Sequence, residues 1–271
     1  NPEIGYISTA NQNVTPGDYN KWEAIGFDWA DPYRGNRINR VLESKEKFNL
    51  KEMLRLQVDY YSIPSEQIIN LSSGLISNNI EYFTMLEKWD KKLSKSSIEA
   101  GIYIEWQNQL FLEVTKKFIP QKVNKYIDMQ LFKVIEKISE MNINEKKELL
   151  NRTFNSSVDN LKEKFGENPD NWVYGQKDFK HVKIYHPLEK VVNDSIREII
   201  GLKSYSRGGD GYTPGSTSNS LNQESGGSFR VMIDTGNWDN SFATNSPGQS
   251  GDPKSKFYDN LYEDWANDVY F

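Results

Sequence analysis

A long central stretch of this chain, from Leu50 to about Ile200, constrains the fold more than any other feature. Glycine is scarce there, and Leu, Ile, Val and Phe recur three and four positions apart. This spacing collects apolar side chains on one face of an α-helix. The stretch therefore predicts a helical arm. The sequences on either side are rich in Gly, Asn and Ser, so we divide the chain into the regions 1–49, 50–201 and 202–271.

The ends of the helices in this arm are predicted from capping and helix-breaking residues. Asn49 is a suitable N-cap for a helix that begins at Leu50. Pro120 cannot continue a helix without losing a backbone hydrogen bond, so it separates helices predicted at 98–119 and 123–141. Two further helices are predicted to end at a glycine: 143–165 is closed by Gly166, and 187–200 is closed by Gly201 as a left-handed cap.

The two flanking regions carry the β-strand signals. Residues Ile4–Ser8 alternate in character and predict a short strand that enters a loop. Residues Ser228–Asp234 are rich in β-forming types, and Arg230 and Asp234 share one face of that strand, where a buried pair is predicted. The segment Gly215–Gly227 has the composition of a flexible surface loop. Together with the helical arm, these strands indicate an α+β fold.

Composition excludes several classes of protein. A chain of 271 residues is long enough to bury a substantial core. The formal net charge of -5 argues against nucleic-acid binding, which depends on neutralising phosphates. No window approaches the roughly 20 consecutive apolar residues that a membrane span needs. The absence of cysteine excludes disulfides and thiolate metal sites, and it leaves the compartment open.

Several segments occur in an order and at a spacing that are shared with one enzyme family. They lie along nearly the whole chain: Gly5–Asn11, Tyr33–Ile38, Leu56–Asp59, Leu86–Asp90, Trp172–Leu188, Gly208–Thr213, Gly227–Asp234 and Pro247–Trp265. Together they resemble the penicillin acylase, or penicillin amidase, family of N-terminal-nucleophile hydrolases. The Pro247–Trp265 tail resembles the closing segment of that family.

The resemblance implies an αββα fold, of which this chain is the C-terminal portion of the large chain. Family members cut their own precursor, so that a Ser, Thr or Cys becomes the first residue of the large chain and the nucleophile. Asn1 matches a position well downstream of that cut. We therefore expect the nucleophile on an upstream segment of the same precursor, and we expect this portion to be inactive alone. The expected reaction is amide hydrolysis of a small N-acyl substrate, through an acyl-enzyme and without a catalytic cofactor.

The resemblance also points to Asn11 as a catalytic residue. It matches an asparagine whose side-chain amide is an oxyanion donor, and an amide suits this role because it donates N–H without carrying a charge. The alternative is that Asn11 only caps or turns a loop. Asn13, two residues further on, is the other candidate for the same position.

Arg34 and Glu23 match two supporting positions of the family. Arg34 matches an arginine near the active site, and its fork of donors suits loop carbonyls or a carboxylate. The alternative is a surface ion pair with Asp31 or Glu23. Glu23 matches one carboxylate of a structural calcium site whose other ligands come mainly from the upstream segment; the alternative is a solvated glutamate.

Other motifs are predicted to be structural. The run Gly208–Gly211 lacks the Lys-Ser/Thr ending of a phosphate-binding loop, and Asp210 is predicted to bond backbone amides there. Ser250 lacks a complete nucleophile-elbow pattern. His186 precedes Pro187 and is predicted to be a helix-entry residue.

The aromatic content keeps a second class of function open. Seven Trp and 15 Tyr are compatible with a non-catalytic carbohydrate- or peptide-binding module that uses exposed aromatic rings. However, Trp89, Tyr103 and Trp106 follow the helical period and are expected in the core. The enzyme hypothesis instead requires Asn11 and Arg34 to share one open surface.

Overall fold

The computed structural model of the chain describes residues 2–127, 129–215 and 218–270. In chain order its helices and strands are α1 Tyr33–Leu42, α2 Leu50–Gln57, α3 Ile63–Ser72, α4 Ile80–Lys88, α5 Ile98–Phe118, α6 Leu131–Glu140, α7 Ile143–Phe165, β1 His181–Val182, α8 Asp194–Ile200, β2 Tyr205–Ser206, β3 Asn222–Gln223, β4 Arg230–Met232, β5 Phe242–Thr244 and α9 Tyr262–Ala266. Helices and strands occur together, so the predicted α+β class is confirmed.

The residues form two compact units. One contains Asn1–Lys45, Tyr61–Lys92 and Ile98–Val173, and the other contains Glu46–Tyr60, Leu93–Ser97 and Tyr174–Phe271. The first unit holds α1 and α3 to α7, while α2, α8, α9 and the strands belong to the second. The boundaries read from composition, at residues 49 and 201, remain a prediction, because contacts rather than composition define these units.

Helices α5 and α7 build the core of the first unit. The rings of Trp106 and Phe154 meet edge to face with centroids 4.9 Å apart, and Phe83 of α4 packs against both. The indole N–H of Trp106 donates to Thr153 Oγ1 at 3.0 Å, so the buried polar atom of this ring is satisfied. Such pairs contribute about 0.5–1.5 kcal/mol each beyond the area that they bury.

The aromatic residues expected in the core lie there. Trp89 is 7% exposed, and Tyr103 and Trp106 are fully buried. These rings are therefore not available as a surface binding platform.

Three helix predictions are confirmed by the ends of the observed helices. Asn49 accepts from the Glu52 N–H and so begins α2 with a capping box. Helix α5 ends before Pro120, as expected. Helix α7 has the predicted bounds, because Asn142 caps its first turn and Gly166, at φ +87°, ends it.

Two helix predictions are wrong at their beginnings. Only Leu131–Glu140 of the segment 123–141 is α-helical. This helix begins where the Asp31 carboxylate accepts the backbone N–H groups of Leu131 and Phe132. In the segment 187–200, a 3-10 turn over Pro187–Lys190 precedes α8. His186 caps the turn and Asn193 caps α8, so the segment has two N-termini.

Gly201 also differs from expectation. It has φ -71° and ψ 137°, which is extended backbone rather than a left-handed cap. Its N–H still bonds the Arg197 carbonyl at 2.8 Å, so α8 closes its last turn without the left-handed residue.

The predicted strand at Ile4–Ser8 does not form among the described residues. Gly5 has φ +80°, and its N–H bonds the Pro2 carbonyl at 3.0 Å in a turn. A strand needs a partner for its backbone groups, and the described part of the chain provides none here. As a result Ile4 and Ile7 are 69% and 83% exposed.

The second unit contains two small sheets. Strand β1 pairs with β2 antiparallel and with β3 parallel, in the order β2-β1-β3, and β4 pairs with β5 antiparallel. Strand β4 confirms the β-rich segment Ser228–Asp234. The predicted loop Gly215–Gly227 contributes β3, while residues 216 and 217 of that loop lie outside the described residues. The core beneath is formed by residues of β1, α9 and their neighbours: Val182, Leu202, Tyr258, Tyr262, Trp265 and Ala266.

The predicted pair between Arg230 and Asp234 is wrong. Arg230 Nη1 donates to Asp268 Oδ1 at 2.7 Å, whereas Asp234 accepts from the backbone N–H groups of Gly236 and Asn237. Strand β4 ends at Met232, so Asp234 lies beyond the strand, at the start of a turn whose N–H groups it accepts.

Within the described residues, no helix is both long and apolar enough to cross a membrane.

Candidate active site

Asn11 lies in an exposed loop with a defined backbone. Its φ of +66° is in the left-handed region, which asparagine tolerates better than most residues. Its backbone carbonyl accepts the Ala30 N–H at 3.0 Å. This backbone hydrogen bond therefore fixes the loop, while the Asn11 side chain remains exposed.

Arg34 reaches this loop from the first turn of α1. The helix begins after Pro32, and Tyr33 is buried with its hydroxyl donating to Gln67 Oε1 at 3.1 Å. This anchor fixes the rotation of the first turn. Arg34 then donates from Nη2 to Asn11 Oδ1 at 2.8 Å. Partial burial lowers the pKa of the Arg34 guanidinium, which still remains charged near neutral pH.

This hydrogen bond sets the orientation of the Asn11 amide. An asparagine side chain accepts through Oδ1 and donates through Nδ2. Because Arg34 occupies the acceptor, the atom that Asn11 can offer to another molecule as a donor is Nδ2. The positive charge of Arg34 also polarises the amide in the direction that strengthens this donor.

Asn13 has a different environment. Its Oδ1 accepts from the Thr15 N–H at 2.9 Å and from Thr15 Oγ1 at 2.7 Å, a local turn motif. Of the two candidate asparagines, the structure therefore brings only Asn11 to Arg34.

The alternative ion pair of Arg34 with Asp31 is not seen among the described residues. The Asp31 carboxylate instead accepts the backbone N–H groups of Phe132 at 2.8 Å and Leu131 at 3.3 Å. Burial raises the pKa of Asp31, and these two hydrogen bonds oppose the shift.

Glu23, the residue that matches a calcium ligand, is not part of a metal-binding cluster among the described residues. It occupies a short 3-10 turn, Trp22–Ala24, and is exposed. Across the described residues, no group of three or more His, Cys, Asp or Glu side chains is placed to hold a metal. A carboxylate gives at most two of the six to eight oxygens that calcium takes. The acidic side chains of the described residues therefore do not assemble a calcium site around Glu23, and a site there would need further oxygens.

Sequence reasoning missed the residues that support Asn11. Gln12 is only 9% exposed, and its side chain lies against Gly35, which follows Arg34 in α1. The only sequence signal for Gln12 and Gly35 was that they directly follow Asn11 and Arg34. Ala30, which bonds the Asn11 carbonyl, contributes through its backbone and leaves no signal in the sequence.

The motifs expected to be structural have structural contacts. Asp210 Oδ1 accepts the Tyr212 N–H at 2.9 Å, as predicted. His186 Nδ1 accepts the Leu188 N–H at 3.1 Å in a capping box, which confirms it as a helix-entry residue. Ser250 Oγ accepts the Asp252 N–H at 3.1 Å.

The fold agrees with comparisons to known proteins. The family model described as penicillin amidase matches residues 1–271. The chain therefore belongs to the penicillin amidase family.

The matched relatives and the matched solved structure are longer than this chain. The acyl-homoserine lactone acylase QuiP of Pseudomonas aeruginosa is 22% identical over 99% of this chain and 37% of its own length. QuiP of Pseudomonas fluorescens is 30% identical over 44% of this chain and 16% of its own length. A thermostable penicillin G acylase from Alcaligenes faecalis superposes with a TM-score of 0.61 at 14% identity, over 100% of this chain and 54% of that chain. The chain thus spans well under half of the curated relatives that it matches.

Proposed function

We propose that this chain is the C-terminal portion of an acylase that hydrolyses the amide bond of a small N-acyl substrate. The nucleophile is a Ser, Thr or Cys at the new N-terminus of an upstream segment, which the precursor exposes by cutting itself. It attacks the amide carbonyl after passing its proton to its own α-amine. The C–N bond then breaks, the amine leaves with that proton, and water hydrolyses the acyl-enzyme to release the carboxylic acid. Asn11 Nδ2 donates to the oxyanion of each tetrahedral intermediate. The portion described here is inactive without the upstream segment.

The hydrogen bond from Arg34 Nη2 to Asn11 Oδ1 is the observation that carries this proposal. An oxyanion donor must be aimed before the charge develops, since a donor that has to reorient loses part of its stabilising effect. Arg34 gives Asn11 this fixed orientation, and the exposure of Asn11 leaves Nδ2 open to a substrate. The names of the relatives, an acyl-homoserine lactone acylase and a penicillin G acylase, are consistent with an N-acyl substrate.

The test uses the full-length protein. N-terminal sequencing of the purified product is expected to find a fresh Ser, Thr or Cys upstream of Asn1.

Replacing Asn11→Ala is expected to lower kcat on N-acyl amides by about 100- to 1000-fold. Asn13→Ala is the matched control, because the Asn13 side chain accepts from Thr15 of its own turn, and it should retain activity. An uncut chain, or an Asn11→Ala variant with full turnover, contradicts the proposal.

Glu23 is proposed as one ligand of a structural calcium ion whose other oxygens come from the upstream segment. Metal analysis of the full-length protein checks this directly. Glu23→Gln should lower the bound calcium, and Glu3→Gln, an exposed control, should not. Equal calcium in all three proteins would leave Glu23 as a solvated side chain.

A further inference from the structure

Gln12 is unusual among its neighbours because it points inward. Asn11 and Asn13 on either side are exposed, whereas Gln12 is only 9% exposed. Its Oε1 accepts the Ala10 N–H at 2.6 Å, so the side chain folds back over its own loop. A buried polar side chain costs free energy unless it is bonded, and this contact satisfies its acceptor.

Gly35 provides the space that Gln12 occupies. It is buried within α1, and a Cβ added there would overlap the amide group of Gln12, with Oε1 only 2.8 Å away. Its backbone has ordinary helical geometry, since it is not among the residues with positive φ. Glycine within a helix costs about 1 kcal/mol relative to alanine. Close packing by Gln12 is the feature of the structure that explains a glycine at this position.

The contact joins the same two segments as the catalytic pair. Asn11 contacts Arg34. The next residue along each segment, Gln12 in the loop and Gly35 in α1, forms the second contact. Two adjacent contacts fix both the separation and the rotation of the loop relative to α1, while a single hydrogen bond leaves rotation free. The left-handed φ of Asn11, +66°, is a conformation that asparagine tolerates, and the two contacts hold the loop in it.

We propose that Gln12, seated on Gly35, is a positioning residue that aims Asn11 Nδ2 at the oxyanion. This inference rests on the proposed function and extends it to a residue that does not touch the substrate. A displacement of about 1 Å at a catalytic group can cost on the order of 100-fold in rate, so a small shift of this loop is enough to be measured.

Two substitutions in the full-length enzyme disturb the contact from opposite sides. Gln12→Ala removes the side chain, and Gly35→Ala pushes it away. Both are expected to lower kcat by about 10- to 100-fold with little change in KM. Alanine favours the helix, so Gly35→Ala should keep or raise the Tm while it lowers kcat. Gly17→Ala is the matched control, because nothing lies within 4 Å of a Cβ at Gly17.

A double-mutant cycle separates positioning from general damage to the fold. If Gln12 acts only through Asn11, Gln12→Ala should cause no further loss in an Asn11→Ala background. If Gln12→Ala lowered kcat by the same factor in both backgrounds, the inference would be overturned. It would also be overturned if Asn11→Ala strongly lowered kcat while Gln12→Ala and Gly35→Ala kept kcat within twofold of wild type. If Asn11→Ala itself is fully active, the proposed function fails and the inference fails with it.

Discussion

The carboxylate of Asp31 accepts the backbone N–H of Phe132 at 2.8 Å and so caps a helix from a distant part of the sequence. Helix α6 has no side-chain cap from its own preceding residue, Gln130. Asp31 supplies that cap and also accepts from Leu131 at 3.3 Å. Gln130 in turn donates from Nε2 to the Trp29 carbonyl. Trp29 and Asp31 therefore bind the start of α6, and Ala30 between them donates its N–H to the Asn11 carbonyl.

Asp31→Ala is expected to lower the free energy of unfolding by about 1–2 kcal/mol, the cost of losing a good N-cap. Asp31→Asn keeps one acceptor oxygen and should lose less. Chemical unfolding followed by far-UV circular dichroism measures both. Asp28→Ala, an exposed acid in the same segment, is the control. Equal stability of the Asp31→Ala and Asp28→Ala variants would show that the cap contributes nothing.

Arg34→Met is expected to lower kcat of the full-length enzyme by about 10- to 100-fold. The substitution keeps much of the side-chain volume and removes the donor to Asn11 Oδ1. A hydrogen bond from a charged group contributes about 1.5–3 kcal/mol, which corresponds to this loss. Arg40→Met is the matched control, because Arg40 lies on the same helix and pairs with Glu66 at 2.6 Å instead. Steady-state kinetics of the two variants would contradict the role if both lost activity equally.

Sequence patterns predicted the parts of the fold that depend on local chemistry. The end of α7 follows from Gly166, which acts within a turn of the residues that it closes. The start of α2 follows from Asn49 in the same way. By contrast, the start of α6 depends on Asp31, about 100 residues away along the chain, and no local pattern encodes such a contact.

The candidate site shows the same division. Family resemblance picked out Asn11 and Arg34, and the structure brings them into contact; their catalytic roles stay predictions. Gln12 and Gly35 were missed because a buried glutamine and a helical glycine gain meaning only when their packing is known. The failed strand at Ile4–Ser8 has a related cause, since a strand is completed by its partner and the alternation of residues does not identify one.

Asp268→Asn is expected to destabilise the protein by about 3–5 kcal/mol. Asp268 Oδ1 lies 3.0 Å from Arg207 Nη2 and 2.7 Å from Arg230 Nη1, and both arginines are at most 8% exposed. Removing the carboxylate leaves two buried cations without their anion. Asparagine tolerates the φ of +61° at this position, so the backbone should be unaffected. Denaturant unfolding measures the loss.

A second variant isolates one contact of the same carboxylate. Tyr60 donates its hydroxyl to Asp268 Oδ2 at 2.5 Å, and burial, with the nearby carboxylate, raises the pKa of Tyr60 well above its usual value. Tyr60→Phe should therefore cost about 1.5–3 kcal/mol, less than Asp268→Asn. Tyr126→Phe, at a ring that is 76% exposed, is the control. A larger loss for Tyr60→Phe than for Asp268→Asn would contradict the assignment of Asp268 as the centre of this cluster.

The carboxyl of Asp210 should make stability depend on pH near neutrality. It is 2% exposed, and burial raises its pKa to about 6, against the opposing effect of the Tyr212 N–H and the Lys180 ammonium. In the unfolded chain an aspartate has a pKa of about 4. The folded protein therefore keeps a proton that the unfolded chain releases. The stabilisation that this proton provides is fully present below pH ~4 and is lost as the pH rises through about 6.

The measurement compares wild type with Asp210→Asn, which retains an acceptor for the Tyr212 N–H and cannot titrate. Between pH 5 and pH 7, the free energy of unfolding of wild type should fall relative to that of Asp210→Asn by about 1 kcal/mol. Lys180, whose pKa burial lowers to about 8, remains mostly charged across this range and does not mask the effect. Asp239→Asn, at an exposed position, should follow wild type at every pH. Parallel pH profiles for wild type and Asp210→Asn would mean that Asp210 is ionised in the folded protein at pH 5, because only a raised pKa makes the two curves diverge.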